Sequence, residues 1–439
     1  MKKEFLFGVS TAAFQIEGDD GTQGRGKSVW DSFCERKGNI FGGHNAKVAT
    51  DHYNRYREDI RLMGEMGANA YRFSTSWSRV LPDGIGRINQ KGIDFYDRLI
   101  DEMLAHDIQP FLTLYHWDLP QALSDQGGFQ NRDFPKWFAE YTHLIVDKFG
   151  DRINSFITFN EPINAIHTSY YAGIFPPAYK LNEIQALKCI HHMLLAHGMA
   201  AEEIIRRNAN ANIGLAMSTF EEYPLHNTPE NIAVTRKLFF EKECPTEALD
   251  VYLDPLYFGK YPQRLKERYP EFFDYITEKD LEIIKGKTNI IGYNNYSGHP
   301  IDEKGIEQQP PLGAPDNEMG GYVDPNGLYW GIKFLRERYN KPVYITENGL
   351  TSNDWLSMDG TVHDPNRIEF FKRHLAMIEK LDEEGEDVRG WFVWSFLDNF
   401  EWKMGYSKRF GVVYVDYITQ RRIPKDSYYW LKNYISNKK

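Results

Sequence analysis

Eight short runs of apolar, mostly β-branched or aromatic residues recur along the 439-residue chain, and stretches of helical periodicity separate them. That alternation restricts the chain to a parallel β/α architecture. The runs cover residues 5–10, 69–73, 109–114, 155–159, 212–216, 290–294, 343–346 and 388–396. Between them Tyr53, Tyr56, Ile60 and Met63 follow spacings of three and four, as do Ile93, Tyr96, Ile100 and Met103. Ile368, Phe371, Leu375 and Ile378 repeat the pattern behind Asp364-Pro365, a helix start with Pro in the first turn. Helices are also predicted over 134–149, 184–208, 232–243 and 328–339, with Thr50 and Asp51 as capping candidates for the helix beginning near 49. No linker or shift in composition divides the chain. The expectation is an α/β fold, a single catalytic (β/α)8 TIM barrel over residues 1–439.

Charge and cysteine content narrow the function. The net charge is −10 with mixed signs and no basic stripe, which argues against nucleic acid as a partner. Cys34, Cys189 and Cys244 are far apart and outside any CxxC pattern, so neither a disulfide framework nor a thiolate metal site is expected, and a reducing, cytoplasmic setting fits. Lys2 and Lys3 ahead of the apolar stretch 5–14 imitate a signal peptide. Glu4 spoils its positive region, and Gly8, Ser10 and Thr11 dilute its apolar one, so the stretch is read as structure. No apolar run is long enough to span a membrane. His191, His192 and His197 lack HExxH spacing and are read as packing groups, and no phosphate-cradling loop or cofactor motif occurs. Residues 299–321 are rich in Pro and Gly and too long for an ordinary connection, which marks them as functional or mobile.

Two runs end on carboxylates. Glu161 follows the fourth and Glu347 ends the seventh, ahead of an Asn-Gly pair read as a turn. A barrel brings strand ends to one mouth, where barrel enzymes place their chemistry. Two facing acids can cleave a glycosidic bond, with retention if the carboxyl groups are about 5 to 5.5 Å apart and inversion if about 6.5 to 9.5 Å. Arg72, at the mouth of the second strand, and the hydroxyl of Tyr296 are expected beside Glu347, lowering its pKa and suiting it to act ionised. Glu161 lacks an obvious cationic partner and feels the charge of Glu347, which suits a general acid.

The motifs Thr158-Phe-Asn-Glu-Pro162 and Ile345-Thr-Glu-Asn-Gly349, with Phe7-Gly-Val-Ser-Thr-Ala-Ala-Phe-Gln-Ile-Glu-Gly18 before them, resemble the signatures of glycoside hydrolase family 1. Arg72-Phe-Ser-Thr-Ser-Trp-Ser-Arg79, His116-Trp-Asp-Leu-Pro120 and Ser395-Phe-Leu-Asp-Asn-Phe-Glu-Trp402 extend the resemblance, in order, across the chain. It implies Glu161 as acid/base and Glu347 as nucleophile. It further implies that Gln15, His116, Asn160, Asn294, Glu401 and Trp402 meet sugar hydroxyls, with Trp394 as the floor beneath the ring and Phe410 beside it. Asn294-Asn295-Tyr296 departs from the family's usual Asn-Tyr-Tyr in its middle position, and Tyr322 stands near a position often held by Trp, so Tyr322 is expected on the aglycone side. No metal is implied.

The activity this resemblance implies is retaining hydrolysis of non-reducing-end β-D-glucosides, extending to β-galactosides or β-fucosides, through a covalent glycosyl-enzyme with a small-molecule substrate. One alternative is a 6-phospho-β-glycosidase, for which Lys403, Lys408 and Arg409 would supply charge. Glu401 opposes it by placing a carboxylate against a phosphate, and Phe410 offers no hydroxyl. The other alternative, a sugar-binding barrel without catalysis, would be expected to lack one of the two acids.

Overall fold

The structure is a computed structural model that describes residues 4–438. Lys2 and Lys3 lie outside them. Eight parallel strands close into a barrel: β1 (Leu6–Ser10), β2 (Ala70–Ser74), β3 (Gln109–Tyr115), β4 (Ser155–Asn160), β5 (Asn212–Met217), β6 (Ile291–Asn295), β7 (Val343–Asn348) and β8 (Val388–Trp394). Each pairs with its neighbours in sequence, and β8 closes on β1 from Leu6 opposite Gly390 to Ser10 opposite Trp394. The stretch that imitates a signal peptide is β1 with the short buried helix Ala13–Ile16.

The helices α1 (His52–Met66), α2 (Gln90–Ala105), α3 (Phe134–Phe149), α4 (Glu183–Arg207), α5 (Leu249–Phe258), α6 (Asn326–Tyr339), α7 (Pro365–Glu383) and α8 (Asp426–Ser436) surround the barrel. The predicted faces are the buried ones: Ile93, Tyr96, Ile100 and Met103 of α2 all pack inward. The capping expectation at α1 fails. Asp51 sits at the N-cap in the left-handed region, φ 54°, and its carboxylate accepts from the side chains of Asn54 and Arg55 instead of a backbone N–H. The helix predicted over 232–243 runs Pro229–Phe240, with Thr228 as its cap. Between it and β6 lie α5 and three shorter helices that sequence reasoning did not resolve, each too brief to show a repeat. α8 was also missed, although Tyr428, Leu431 and Ile435 keep helical spacing; the Tyr428 hydroxyl donates to the Leu62 carbonyl of α1 and closes the outer ring. No helix among the described residues is long and apolar enough to cross a membrane.

The barrel interior explains where chemistry can sit. Phe111 of β3 meets Tyr344 of β7 and Phe392 of β8 with ring centroids 5.3 and 5.1 Å apart. β3 is a neighbour of neither β7 nor β8, so the rings meet across the barrel and plug its interior. Gly8 is required there, because a Cβ on it would lie 2.2 Å from the Phe392 ring. Strand side chains alternate with period two, so the next inward layer comes from Arg72, Thr113, Thr346 and Trp394. An apolar plug thus carries a polar layer at the C-terminal mouth. Near that mouth β4 and β5 lose register between Ile157 and Asn160, and β6 and β7 between Tyr293 and Asn294. Such irregularities re-aim side chains, and these two fall beside Glu161 and Glu347.

Candidate active site

Glu347 lies in β7 and is buried. The Arg72 guanidinium reaches it from β2, with Nη1 donating to Oε1 at 2.6 Å, and the Tyr296 hydroxyl donates to Oε2 at 2.5 Å. Arg72 is fixed on every side: Nε donates to Thr113 Oγ1, Nη1 also to Ser10 Oγ and the Thr346 carbonyl, and Nη2 to Asn160 Oδ1. A buried guanidinium needs that many partners.

Glu161 stands where β4 leaves the sheet. Its backbone N–H still donates to the Ala216 carbonyl of β5 at 2.7 Å, while its φ of 44° is left-handed. Such a conformation costs on the order of 1 to 3 kcal/mol for a residue with a Cβ, and it turns the side chain into the mouth. Oε1 accepts from Asn294 Nδ2 at 2.8 Å and Oε2 from Asn164 Nδ2 at 2.6 Å. Among the described residues no cation touches it. Asn164 opens a wide π-helical turn, Asn164–Tyr171, whose three-residue offset from Glu161 was the available signal for its role.

Electrostatics separate the two acids. Burial, and then the charge of Glu347, push the Glu161 carboxyl up to about 7; the Asn294 and Asn164 amides and Arg72 oppose the rise. Glu347 is also raised, by burial, against Arg72, Tyr296 and Asn294. This corrects the expectation that Arg72 holds Glu347 low: full desolvation of a carboxylate outweighs a guanidinium shared with neutral acceptors. When the pair carries one proton, Arg72 and Tyr296 keep it off Glu347, so Glu161 holds it.

The remaining expected residues gather at the same mouth. Asn160 Oδ1 accepts from Arg72 and from Asn294 Nδ2, and Asn160 Nδ2 faces His116 Nε2 at 3.0 Å. Because an amide N–H can only donate, Nε2 accepts and the His116 proton sits on Nδ1. Burial and Arg72 hold that imidazole well below its usual pKa, hence neutral. Gln15 Nε2 donates to the Phe400 carbonyl at 2.9 Å and lies 3.5 Å from Glu401 Oε2. His116 Nδ1 and Gln15 Oε1 are both buried without a protein partner. One orphan donor and one orphan acceptor are what a hydroxyl-bearing ligand would satisfy. Trp394 lies 5.7 Å from His116, nearly parallel, and Phe410 packs between Trp394 and Tyr296. Trp402 shares the wall, 6.0 Å from His116. His116, Asn160, Trp394, Glu401, Trp402 and Phe410 line a cavity of about 240 Å³, and Gln15 meets it through Glu401 rather than as part of the lining.

Three expectations change. Asn294 does not turn its amide toward open cavity: Nδ2 serves Glu161 and Asn160, and Oδ1 accepts from Thr346 Oγ1, so it aligns the acids. Tyr322 is off the cavity; Asn317, Met319 and Gly320 of the same long loop line it instead. The Asn348-Gly349 pair is no turn, since Asn348 still belongs to β7, and Gly349 is required because a Cβ would lie 1.7 Å from the Trp394 carbonyl oxygen. Sequence reasoning also missed Glu221. Its carboxylate accepts the Tyr296 backbone N–H at 2.6 Å and the Ser297 hydroxyl, and burial pushes it up to about 8.

The family model for glycosyl hydrolase family 1 matches residues 1–439. The chain belongs to that family. Beta-glucosidase A of Thermotoga maritima is 42% identical, covering 99% of this chain and 97% of that protein. The beta-glucosidase of an Agrobacterium species is 38% identical over 97% and 93%. Among solved structures, a family 1 b-glucosidase from Thermotoga maritima matches with TM-score 0.91 at 41% identity, covering 100% of this chain and 98% of that one. This family 1 chain is a glycoside hydrolase on the barrel its sequence implied. Two of the three cations weighed for a phosphate are engaged elsewhere. Arg409 is held by Asp398 and by the rings of Tyr414 and Tyr417, and Lys408 pairs with Glu318.

Proposed function

We propose that this glycoside hydrolase removes β-linked glucosyl units from non-reducing ends by double displacement. The observation that carries the assignment is the asymmetry of the two acids: Arg72 and Tyr296 touch Glu347, whereas amides alone touch Glu161. In the first step a Glu347 oxygen attacks the anomeric carbon as the bond to the leaving oxygen breaks. The Glu161 proton goes to that oxygen. In the second, Glu161 takes a proton from water, the water oxygen bonds the anomeric carbon, and the ester to Glu347 breaks, so two inversions give net retention. Arg72 and Tyr296 hold Glu347 in place and stabilise it as it leaves. Gln15 Oε1 and the His116 Nδ1–H are the unsatisfied groups offered to ring hydroxyls above Trp394.

Glucose as the preferred ring rests on the relatives' names, beta-glucosidase and 1,4-beta-D-glucan glucohydrolase. The charge of Glu401 does not by itself exclude a 6-phosphate. Burial and the two other carboxylates push Glu401 up to about 8, so it is protonated at neutral pH. What disfavours a phosphate is that Lys408 and Arg409 are already engaged.

Incubation with a 2-deoxy-2-fluoroglucoside should add one glycosyl mass to the intact protein and abolish activity. Azide should rescue Glu347→Gly to the α-glycosyl azide and Glu161→Ala to the β-anomer. An unmodified mass without inhibition, or the reverse anomers, would overturn the mechanism or the roles. Faster cleavage of an aryl β-glucoside 6-phosphate than of the aryl β-glucoside would overturn the substrate.

A further inference from the structure

Behind the acid/base wall, three side chains of different donor type converge: His167 from the Asn164–Tyr171 turn, and Cys244 and Glu247 from the segment between the helix Pro229–Phe240 and α5. All are partly exposed, and one donor atom of each lies within 4.8 Å of the others. His167 Nε2 is 3.4 Å from Glu247 Oε1, and Cys244 Sγ is 4.0 Å from His167 Nδ1. Tetrahedral zinc takes N and O donors at about 2.0 to 2.2 Å and S at about 2.3 Å, which places neighbouring donors about 3.3 to 3.6 Å apart. The imidazole–carboxylate pair already has that spacing, and the thiol must close in by side-chain rotation from a separation of up to 4.8 Å.

A fourth residue makes the cluster more than a surface ion pair. Thr246 is fully buried, and its Oγ1 lies 2.8 Å from His167 Nδ1 and 3.1 Å from Cys244 Sγ. Its backbone is fixed by the Tyr252 hydroxyl, which donates to the Thr246 carbonyl at 2.9 Å. Nδ1–H donating to Oγ1 assigns the tautomer with Nε2 free, on the side of Glu247. The Thr246 hydroxyl hydrogen is then left to donate to the sulfur of Cys244 as a thiolate. Ligand-bearing histidines and thiolates in metal sites are oriented in this way by outer hydrogen bonds. We propose that His167, Cys244 and Glu247 bind one zinc-class divalent cation, with water as the fourth ligand. One soft sulfur, one imidazole and one carboxylate suit Zn²⁺ over Mg²⁺ or Ca²⁺, which take oxygen ligands. On binding, the Cys244 thiol proton passes to solvent as the metal–sulfur bond forms. His167 follows Asn164 by three residues on one turn, so the ion would anchor the segment that carries an amide donor to Glu161.

The test is titration of metal-free, reduced, full-length protein with Co²⁺, followed by displacement with Zn²⁺. One equivalent of Co²⁺ should give a thiolate-to-cobalt charge-transfer band with the strong visible bands of four-coordinate cobalt, and Zn²⁺ should erase both. Cys244→Ser should lose the charge-transfer band while melting as wild type does without metal. Thr246→Val, which keeps all three ligands, should weaken binding about 10- to 100-fold. Absence of the band at saturating Co²⁺ would overturn the proposal. Its survival in Cys244→Ser would do so too, since the thiol would then be Cys34 or Cys189.

Discussion

Replacing Asn164 by Leu removes one of the two amide donors on Glu161 while keeping side-chain volume. The lost bond, 2.6 Å from Nδ2 to Oε2, stabilises the ionised carboxylate more than the neutral acid. A hydrogen bond to a charged group contributes about 1.5 to 3 kcal/mol and one between neutral groups about 0.5 to 1.5. The difference, about 1 to 1.5 kcal/mol, corresponds to about one pH unit. Glu161 is pushed up to about 7 in the intact site, with Asn294 and Asn164 opposing the rise. Without Asn164 its proton should be held to about pH 8. Because the first step needs that proton, the basic limb of the kcat/KM profile should move to higher pH by about one unit, measured on an aryl glucoside whose leaving group requires protonation. A glucoside with a strongly acidic leaving group should show a weaker dependence. A basic limb that stays in place or moves down would refute the assignment of that limb to Glu161.

Tyr296→Phe takes the hydroxyl from Glu347, and the same charged-bond range implies a loss of about 10- to 100-fold in kcat; it should also raise the acidic limb, and an unchanged kcat would remove Tyr296 from the machinery. Gly349→Ala drives a Cβ into the Trp394 carbonyl oxygen and should destabilise by about 1 to 3 kcal/mol or more, read as a lowered Tm; an unaltered melt would contradict the packing. Stability should fall from about pH 6.5 to 8. Glu161, Glu221, Glu401 and Asp118 are raised to between about 7 and 8, so the folded state holds protons that the unfolded chain has released. Stability present below the ordinary carboxylate range is lost as pH rises through those values, by about 1.4 kcal/mol per pH unit for each group still protonated. The buried His191, His192, His197 and His374, all lowered, act oppositely but only below about pH 6.5. A melting temperature that is flat or rises over this window would contradict the burial assigned to these acids.

Which parts of this molecule were legible in the chain follows from the range of the interactions involved. Phe134–Phe149 was readable to the residue because its periodicity, Pro135 and following Gly150 are local signals. The helices between Pro229–Phe240 and β6 were not, because segments of six to ten residues carry fewer than three turns of pattern and owe their form to packing. The same division runs through the site. Glu161 and Glu347 announced themselves by ending strands, and Arg72 and Tyr296 lie where strand ends converge. Glu221 announced nothing, because a carboxylate that holds a backbone N–H 75 positions away acquires its meaning only when the barrel closes. Gly349 shows the limit most clearly. Its place after Asn348 suggests a turn, yet what excludes a side chain there is a carbonyl of β8, the next strand of the barrel. Strand-mouth acids can therefore be found from pattern, but their pKa values cannot, since these depend on burial and on Asn294 and Asn164. The motif selects the pair, and Arg72 and Tyr296, gathered on Glu347 by the closed barrel, decide which member carries the proton.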